Sequence, residues 1–235
     1  FIHRFLGRLI GVFFLLPLIY FFIKLGFKKT SNLFFIFLLI CIQGFIGWYM
    51  VASGLVDRVD VSHYRLATHL VLAFIILSLI YWNYLKFKEI HSSVHKIKFL
   101  LPQIFLLFVF LQITIGAFVS GMDAGKIYNS WPLMGQSYFP DDNSISNLFK
   151  LSSFDDPSLV QFIHRNLAYL ILLIFIYICY FIYKNNLNFF YNNIKLIGFL
   201  LFLQIILGIL TLLSGAHIIL ASMHQISSIF LVSSS

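Results

Sequence analysis

Apolar runs about twenty residues long recur along this chain, at 5–23, 31–50, 65–85, 99–120, 160–183, 194–213 and 217–233. That length crosses the hydrocarbon core of a bilayer. Lipid offers no water to bond, so each run must satisfy its own backbone N–H and C=O groups, and each is predicted to be a helix. The composition agrees: 60% of residues are hydrophobic, 10% are charged, and the mean hydropathy is +0.94. Soluble domains sit nearer half apolar and roughly a quarter charged. The expected fold class is therefore all-α, a polytopic membrane helical bundle.

The net charge of +8 is not a nucleic-acid footprint. Lys24, Lys28, Lys29, Lys86, Lys88, Lys96, Lys98, Lys184 and Lys195 fall in alternate connections, with Glu89 the one acid among them. Asp57, Asp60, Asp123, Asp141, Asp142, Asp155 and Asp156 fall in the others. The positive-inside rule places the lysine-rich connections on the cytoplasmic or matrix side and the acidic ones outside. Cys41 and Cys179 both lie within spans and are expected to be small buried apolar residues.

The tetrapeptide Phe-Ile-His-Arg occurs twice, at 1–4 and 162–165, and each copy opens an apolar run. At an equal interval after each histidine comes a glutamine, Gln43 or Gln204. Each glutamine is followed by a glycine (Gly47, Gly208) and then by a Ser-Gly pair (Ser53-Gly54, Ser214-Gly215). A second histidine lies in the next run, His69 in one half and His224 in the other. The chain thus divides into an N-terminal half-bundle, 1–90, and a C-terminal half-bundle, 91–235, as two pseudo-symmetric four-helix halves. Eight spans would complete such a pair, so a first helix is expected before Phe1. Small residues at Gly7-x-x-x-Gly11 suggest close helix packing, and Gln43, Gln112 and Gln204 are expected to bond neighbouring helices. The long outer connection 121–158 reads equally as a lid or as an aromatic segment at the membrane interface.

Eight histidines are present. His91 and His95 fall in an inner connection, and His63 and His217 at outer mouths. His3, His69, His164 and His224 lie inside spans, near their outer ends. An ionisable residue there is a functional candidate. Four of them, matched two and two across a repeat, point to metal or haem ligation. There is no cysteine cluster for an iron–sulfur site and no carboxylate–histidine motif for a di-iron site, which favours bis-histidine haem. A small residue stands four positions after each: Gly7, Ala73, Ala168 and Ser228. That spacing keeps one helix face open to a flat macrocycle. Arg4 and Arg165 follow two of the histidines and suit haem propionates.

Four runs of sequence resemble the haem A synthase family, in the branch shared by alphaproteobacteria and mitochondria. They are Gly44–Arg58 (GFIGWYMVASGLVDR), Ser62–His69 (SHYRLATH), Gly121–Met134 (GMDAGKIYNSWPLM) and Gln161–Arg165 (QFIHR). The likeness extends over essentially the whole chain. It implies oxidation of the C8 methyl group of haem O to the formyl group of haem A, the cofactor of cytochrome c oxidase. It implies that His164 and His224 are axial ligands of a resident haem b, and that His3 and His69 hold the substrate haem. The family's catalytic glutamate falls before Phe1 and so is not in this chain, and the outer-loop cysteine pair of another branch is not matched. The implied setting is a bacterial inner membrane or a mitochondrial inner membrane. The implied partners are haem O, the lipid bilayer, haem O synthase and a cytochrome oxidase assembly factor. The residues alone also fit a non-catalytic di-haem b-type membrane cytochrome that transfers electrons. A repeat-built transporter fits less well, because its polar residues should lie at the bilayer midplane.

Overall fold

A computed structural model describes residues 2–54, 61–87 and 100–235. Seven long helices account for most of them: α1 (Ile2–Leu25), α2 (Phe27–Gly54), α3 (His63–Phe87), α4 (Leu100–Gly121), α6 (Pro157–Lys184), α7 (Tyr191–Leu213) and α8 (Ile218–Ser234). A short helix, α5 (Ile145–Leu148), lies in the long connection between α4 and α6. Six spans meet membrane-crossing length and hydropathy; α8, with 17 residues, is shorter and falls at the lower end of what a bilayer requires. The all-α membrane bundle expected from the apolar runs is what the chain forms.

The helices are hydrophobic on most sides, as membrane spans are. Large apolar side chains such as Phe13 (69% exposed) and Phe202 (62%) face outward, where lipid rather than water meets them. The interiors are narrow and built from shape. Leu18, Ile36, Phe105, Val109, Ile171 and Leu201 are buried between neighbouring helices.

The chain separates into two compact units, residues 1–90 and 91–235. In the first, α1 packs on α2 and α2 on α3. Gly26 alone joins α1 to α2. Its φ of 76° turns the chain back, and its N–H caps the Phe22 carbonyl at 2.9 Å; a side chain would be strained there. In the second unit α4 packs on α6, α6 on α7 and α7 on α8. Pro157 starts α6 at a position where no N–H is needed, and the Asp156 carboxylate caps the helix by accepting from the Leu159 N–H at 3.0 Å.

Among the described residues, a Cβ at Gly7 or Gly11 would meet nothing within 4 Å, so the close approach expected there is not seen among them.

Candidate functional site

His3 enters from the first turns of α1 and His69 from the outer part of α3. Their rings face each other with centroids 6.4 Å apart and planes at 73°. His164 on α6 and His224 on α8 lie within electrostatic range of one another.

Three of these four histidines are held alike. The Gln43 amide on α2 donates to the His69 backbone carbonyl at 2.9 Å. The Gln112 amide on α4 donates to the His164 carbonyl at 3.1 Å and lies 3.2 Å from His164 Nε2. The Gln204 amide on α7 donates to the His224 carbonyl at 3.0 Å and to Ser227 Oγ at 2.7 Å. One turn beyond each glutamine, a glycine meets the imidazole edge. A Cβ on Gly47 would stand 2.9 Å from His69 Cε1, one on Gly116 3.1 Å from His164 Cε1, and one on Gly208 3.2 Å from His224 Cε1.

The glutamines do bond neighbouring helices, as expected. Their partners were not legible, because the repeat sets Gln43 and Gln204 at a fixed interval after His3 and His164, whereas the structure bonds Gln43 to His69 and Gln204 to His224. The signal was Gln-x-x-x-Gly on one helix followed by a histidine early in the next long helix. Differing connection lengths hid it.

His63 stacks on Tyr64 with centroids 4.1 Å apart. His217 is exposed at the start of α8. His91 and His95 lie outside the described residues. Of the small residues four positions on, Gly7 has open space around it, while Ser228 turns its hydroxyl to the Gln225 carbonyl at 2.6 Å.

The outer connection folds as a cap fastened to α6. Arg165 Nη1 donates to the carbonyls of Ser130 (3.0 Å) and Leu133 (3.3 Å), and Nη2 to that of Tyr128 (3.0 Å). Gln161 also donates to the Tyr128 carbonyl, at 3.1 Å. The Trp131 indole donates to Tyr169 at 3.0 Å, and the Tyr138 hydroxyl to Asn166 at 2.7 Å. Residues 161, 165 and 169 form one stripe of α6, since positions four apart share a helix face. Phe139 and Tyr138 pack their rings on Phe162, and Met134 is buried beneath. The guanidinium of Arg165 is thus engaged by the cap. Its Nε–H is buried without a partner and remains as a donor for a carboxylate. Arg4 is exposed on α1.

Polar groups outside the spans stiffen this cap. Asp141 accepts from the Gln136 N–H at 2.7 Å and from Ser137 Oγ at 2.9 Å, bonds that hold its carboxyl below the usual range. Burial pushes Asp156 up, but bonds from the Leu159 N–H, Ser158 and Asn143 outweigh it and the carboxyl ends lower than usual. Tyr128 is pushed up, first by burial and then by its hydroxyl bond to Asp142 at 2.9 Å.

The donor set fits haem better than a bare ion. Among the described residues no group of three or more His, Cys, Asp or Glu converges, whereas a bare structural ion takes about four protein ligands. A porphyrin supplies its own equatorial nitrogens and asks the protein only for axial ligands. The His3 and His69 rings, with centroids 6.4 Å apart, are close enough to share one such group. Nδ1 of His69, His164 and His224 is buried and unpartnered.

The family described as cytochrome oxidase assembly protein, COX15-CtaA, matches residues 1–235. The chain is 46% identical over 240 residues to the haem A synthase of Pelagibacter ubique, covering 99% of this chain and 69% of that protein. It is 43% identical over 245 residues to the haem A synthase of Rickettsia bellii and 41% over 246 residues to that of Rickettsia africae, each time covering 99% of this chain and 71% of the relative. No solved structure matches significantly.

Proposed function

The chain belongs to the COX15-CtaA family of cytochrome oxidase assembly proteins, and from that premise we infer how its histidines work. It is an integral membrane oxidoreductase of haem A biosynthesis in a bacterial inner membrane, and it oxidises the C8 methyl group of haem O to the formyl group of haem A. Its cofactor is of the haem type.

His164 and His224 would hold a resident haem b, and His3 and His69 would hold the substrate haem. The observation that supports two sites is the arrangement of four span histidines as two pairs, one in each compact unit; the division of roles between them is the one the family resemblance implies. Haem iron supplies the redox chemistry that no side chain performs alone. The protein's own residues bind and orient. His69, His164 and His224 each present an imidazole against a glycine on the adjoining helix. The cap over α6 shields the outer end of the second unit from water. Arg165 offers its free Nε–H to a propionate, and Arg4 takes the corresponding place on α1. The chemistry calls for haem O synthase upstream and a cytochrome oxidase assembly factor downstream as partners.

The test is the full-length protein co-expressed with a source of haem O, with extracted haems separated by chromatography. His164→Ala and His224→Ala should abolish the haem b absorption. His3→Ala and His69→Ala should lose haem A formation while keeping most of the haem b signal. Haem A made at the unmutated rate by the last two variants would refute the division of labour.

A further inference from the structure

We propose that Gln43, Gln112 and Gln204, with Gly47, Gly116 and Gly208, are positioning residues that set the height and rotation of the ligand imidazoles on the facing helices. The inference rests on the reading of His69, His164 and His224 as haem ligands, and goes beyond it.

Helix direction explains the motif. α2, α4 and α7 run toward the outer side, by the lysine asymmetry, and α3, α6 and α8 run back. In a helix the carbonyls point to its C-terminus and each Cα–Cβ bond tilts toward its N-terminus. A histidine on a returning helix therefore directs its carbonyl inward and its ring outward. On the antiparallel neighbour, a glutamine lies one turn inward of a glycine four residues later. The glutamine meets the carbonyl and the glycine meets the ring. Gln-x-x-x-Gly thus brackets one histidine from both sides.

Each contact does separate work. The carbonyl bond fixes the histidine's height along the helix pair, and lipid offers the amide no competing partner. The glycine admits the ring edge at a depth any side chain would deny: the approach at Gly47, 2.9 Å, is shorter than a real Cβ tolerates, and those at Gly116 and Gly208, 3.1 and 3.2 Å, are tight. At His164 the amide does more. A carbonyl only accepts, so the bond to His164 O assigns Gln112 Nε2 as donor. The same nitrogen, 3.2 Å from His164 Nε2, then meets a lone pair and not a proton. That lone pair is engaged by the amide, so an iron on Nε2 would replace this contact while the bond to the carbonyl stays. General interhelical bonding does not account for all three amides landing on the carbonyl of a span histidine.

The experiment uses the full-length, haem-loaded protein in membranes or mild detergent. Gly116→Ala and Gly208→Ala, together with Gln112→Met and Gln204→Met, are compared with Gly44→Ala, whose Cβ would meet nothing within 4 Å. The methionine variants remove the donor with little change of volume, so they remain informative if an added methyl prevents folding. The readouts are haem b content, the g-values of the low-spin ferric signal and the haem midpoint potential. The positioning variants should keep at least half the haem while shifting the g-values and the potential; Gly44→Ala should shift neither. Gly47→Ala should weaken uptake of added haem O, followed by absorbance titration, at least tenfold. Unchanged g-values and potential in the methionine variants, with His164→Ala still losing its haem, would overturn the positioning role and leave the ligand assignment standing. A normal haem b spectrum in His164→Ala would instead overturn the ligand assignment.

Discussion

Replacing Arg165 with alanine should release the outer cap without unfolding α6. The guanidinium holds three carbonyls, those of Ser130, Leu133 and Tyr128, at 3.0 to 3.3 Å. A hydrogen bond to a charged group is worth about 1.5–3 kcal/mol. Arg165 is only half-buried, so solvent screening reduces each bond, and roughly 2–4 kcal/mol for the set is a fair figure. At about 1.4 kcal/mol per tenfold, local opening of the cap should rise roughly 30- to 800-fold. The Met134 amide reports on it, because its N–H bonds the Ser137 carbonyl at 2.7 Å within the cap and its side chain is buried. Hydrogen exchange on the purified protein, in the regime where exchange tracks the opening equilibrium, should show that amide losing protection by this factor, while amides in the middle of α7 stay unchanged. Arg165→Lys should recover less than half of the loss in free energy, since an ammonium does not reproduce the planar fork. Protection of Met134 within about threefold of the unmutated protein, a difference well under 1 kcal/mol, would refute the view that Arg165 fastens the cap.

Asp156→Ala should lower stability by about 1–2 kcal/mol through loss of the α6 cap, read by thermal melting in detergent. Because the folded carboxyl is held below its ordinary value of 3.8, its contribution is complete above that value and disappears as pH falls through the folded pKa; the melting deficit of the variant should persist at pH 5 and shrink below about pH 4. Tyr128 behaves in the opposite sense: its folded pKa is raised above 10.0, so its contribution is complete below that value and is lost as pH rises through the folded pKa, and Tyr128→Phe should remove this alkaline sensitivity from Met134 exchange. Cysteines placed at Lys126 and Lys150, in a background lacking Cys41 and Cys179, should react with an impermeant reagent from outside, and one at Lys184 only after permeabilisation; the reverse pattern would invert the topology.

The spans and the four histidines were legible because the bilayer makes sequence unusually readable. An apolar run has one structural outcome there, and an ionisable residue such as His164 within it stands out. The lysine asymmetry separated the connections by side. The glutamine–histidine pairing was not legible, since partners lie 20, 26 and 52 residues apart and no fixed interval betrays them. Nor was the cap, where side chains of α6 bond backbone carbonyls of Tyr128, Ser130 and Leu133, groups that every residue type carries. The Gly7 and Gly11 spacing suggests a contact that α1 does not make among the described residues, because small residues permit close approach without compelling it.

His164 and Arg165 are joined by one peptide bond, which makes α6 a shared spindle. Turning it by a single residue step, about 100°, would swing the imidazole away from Gly116 and, in the same motion, tear the guanidinium from the cap. The loop sequence and the angle of the His164 ring are therefore indexed to one another. A cap transplanted from a relative would seat only if its carbonyls met the same stripe of Gln161, Arg165 and Tyr169. A cap that seated one step out of phase would lose the Arg165 bonds to Tyr128, Ser130 and Leu133 unless the His164 ring left Gly116.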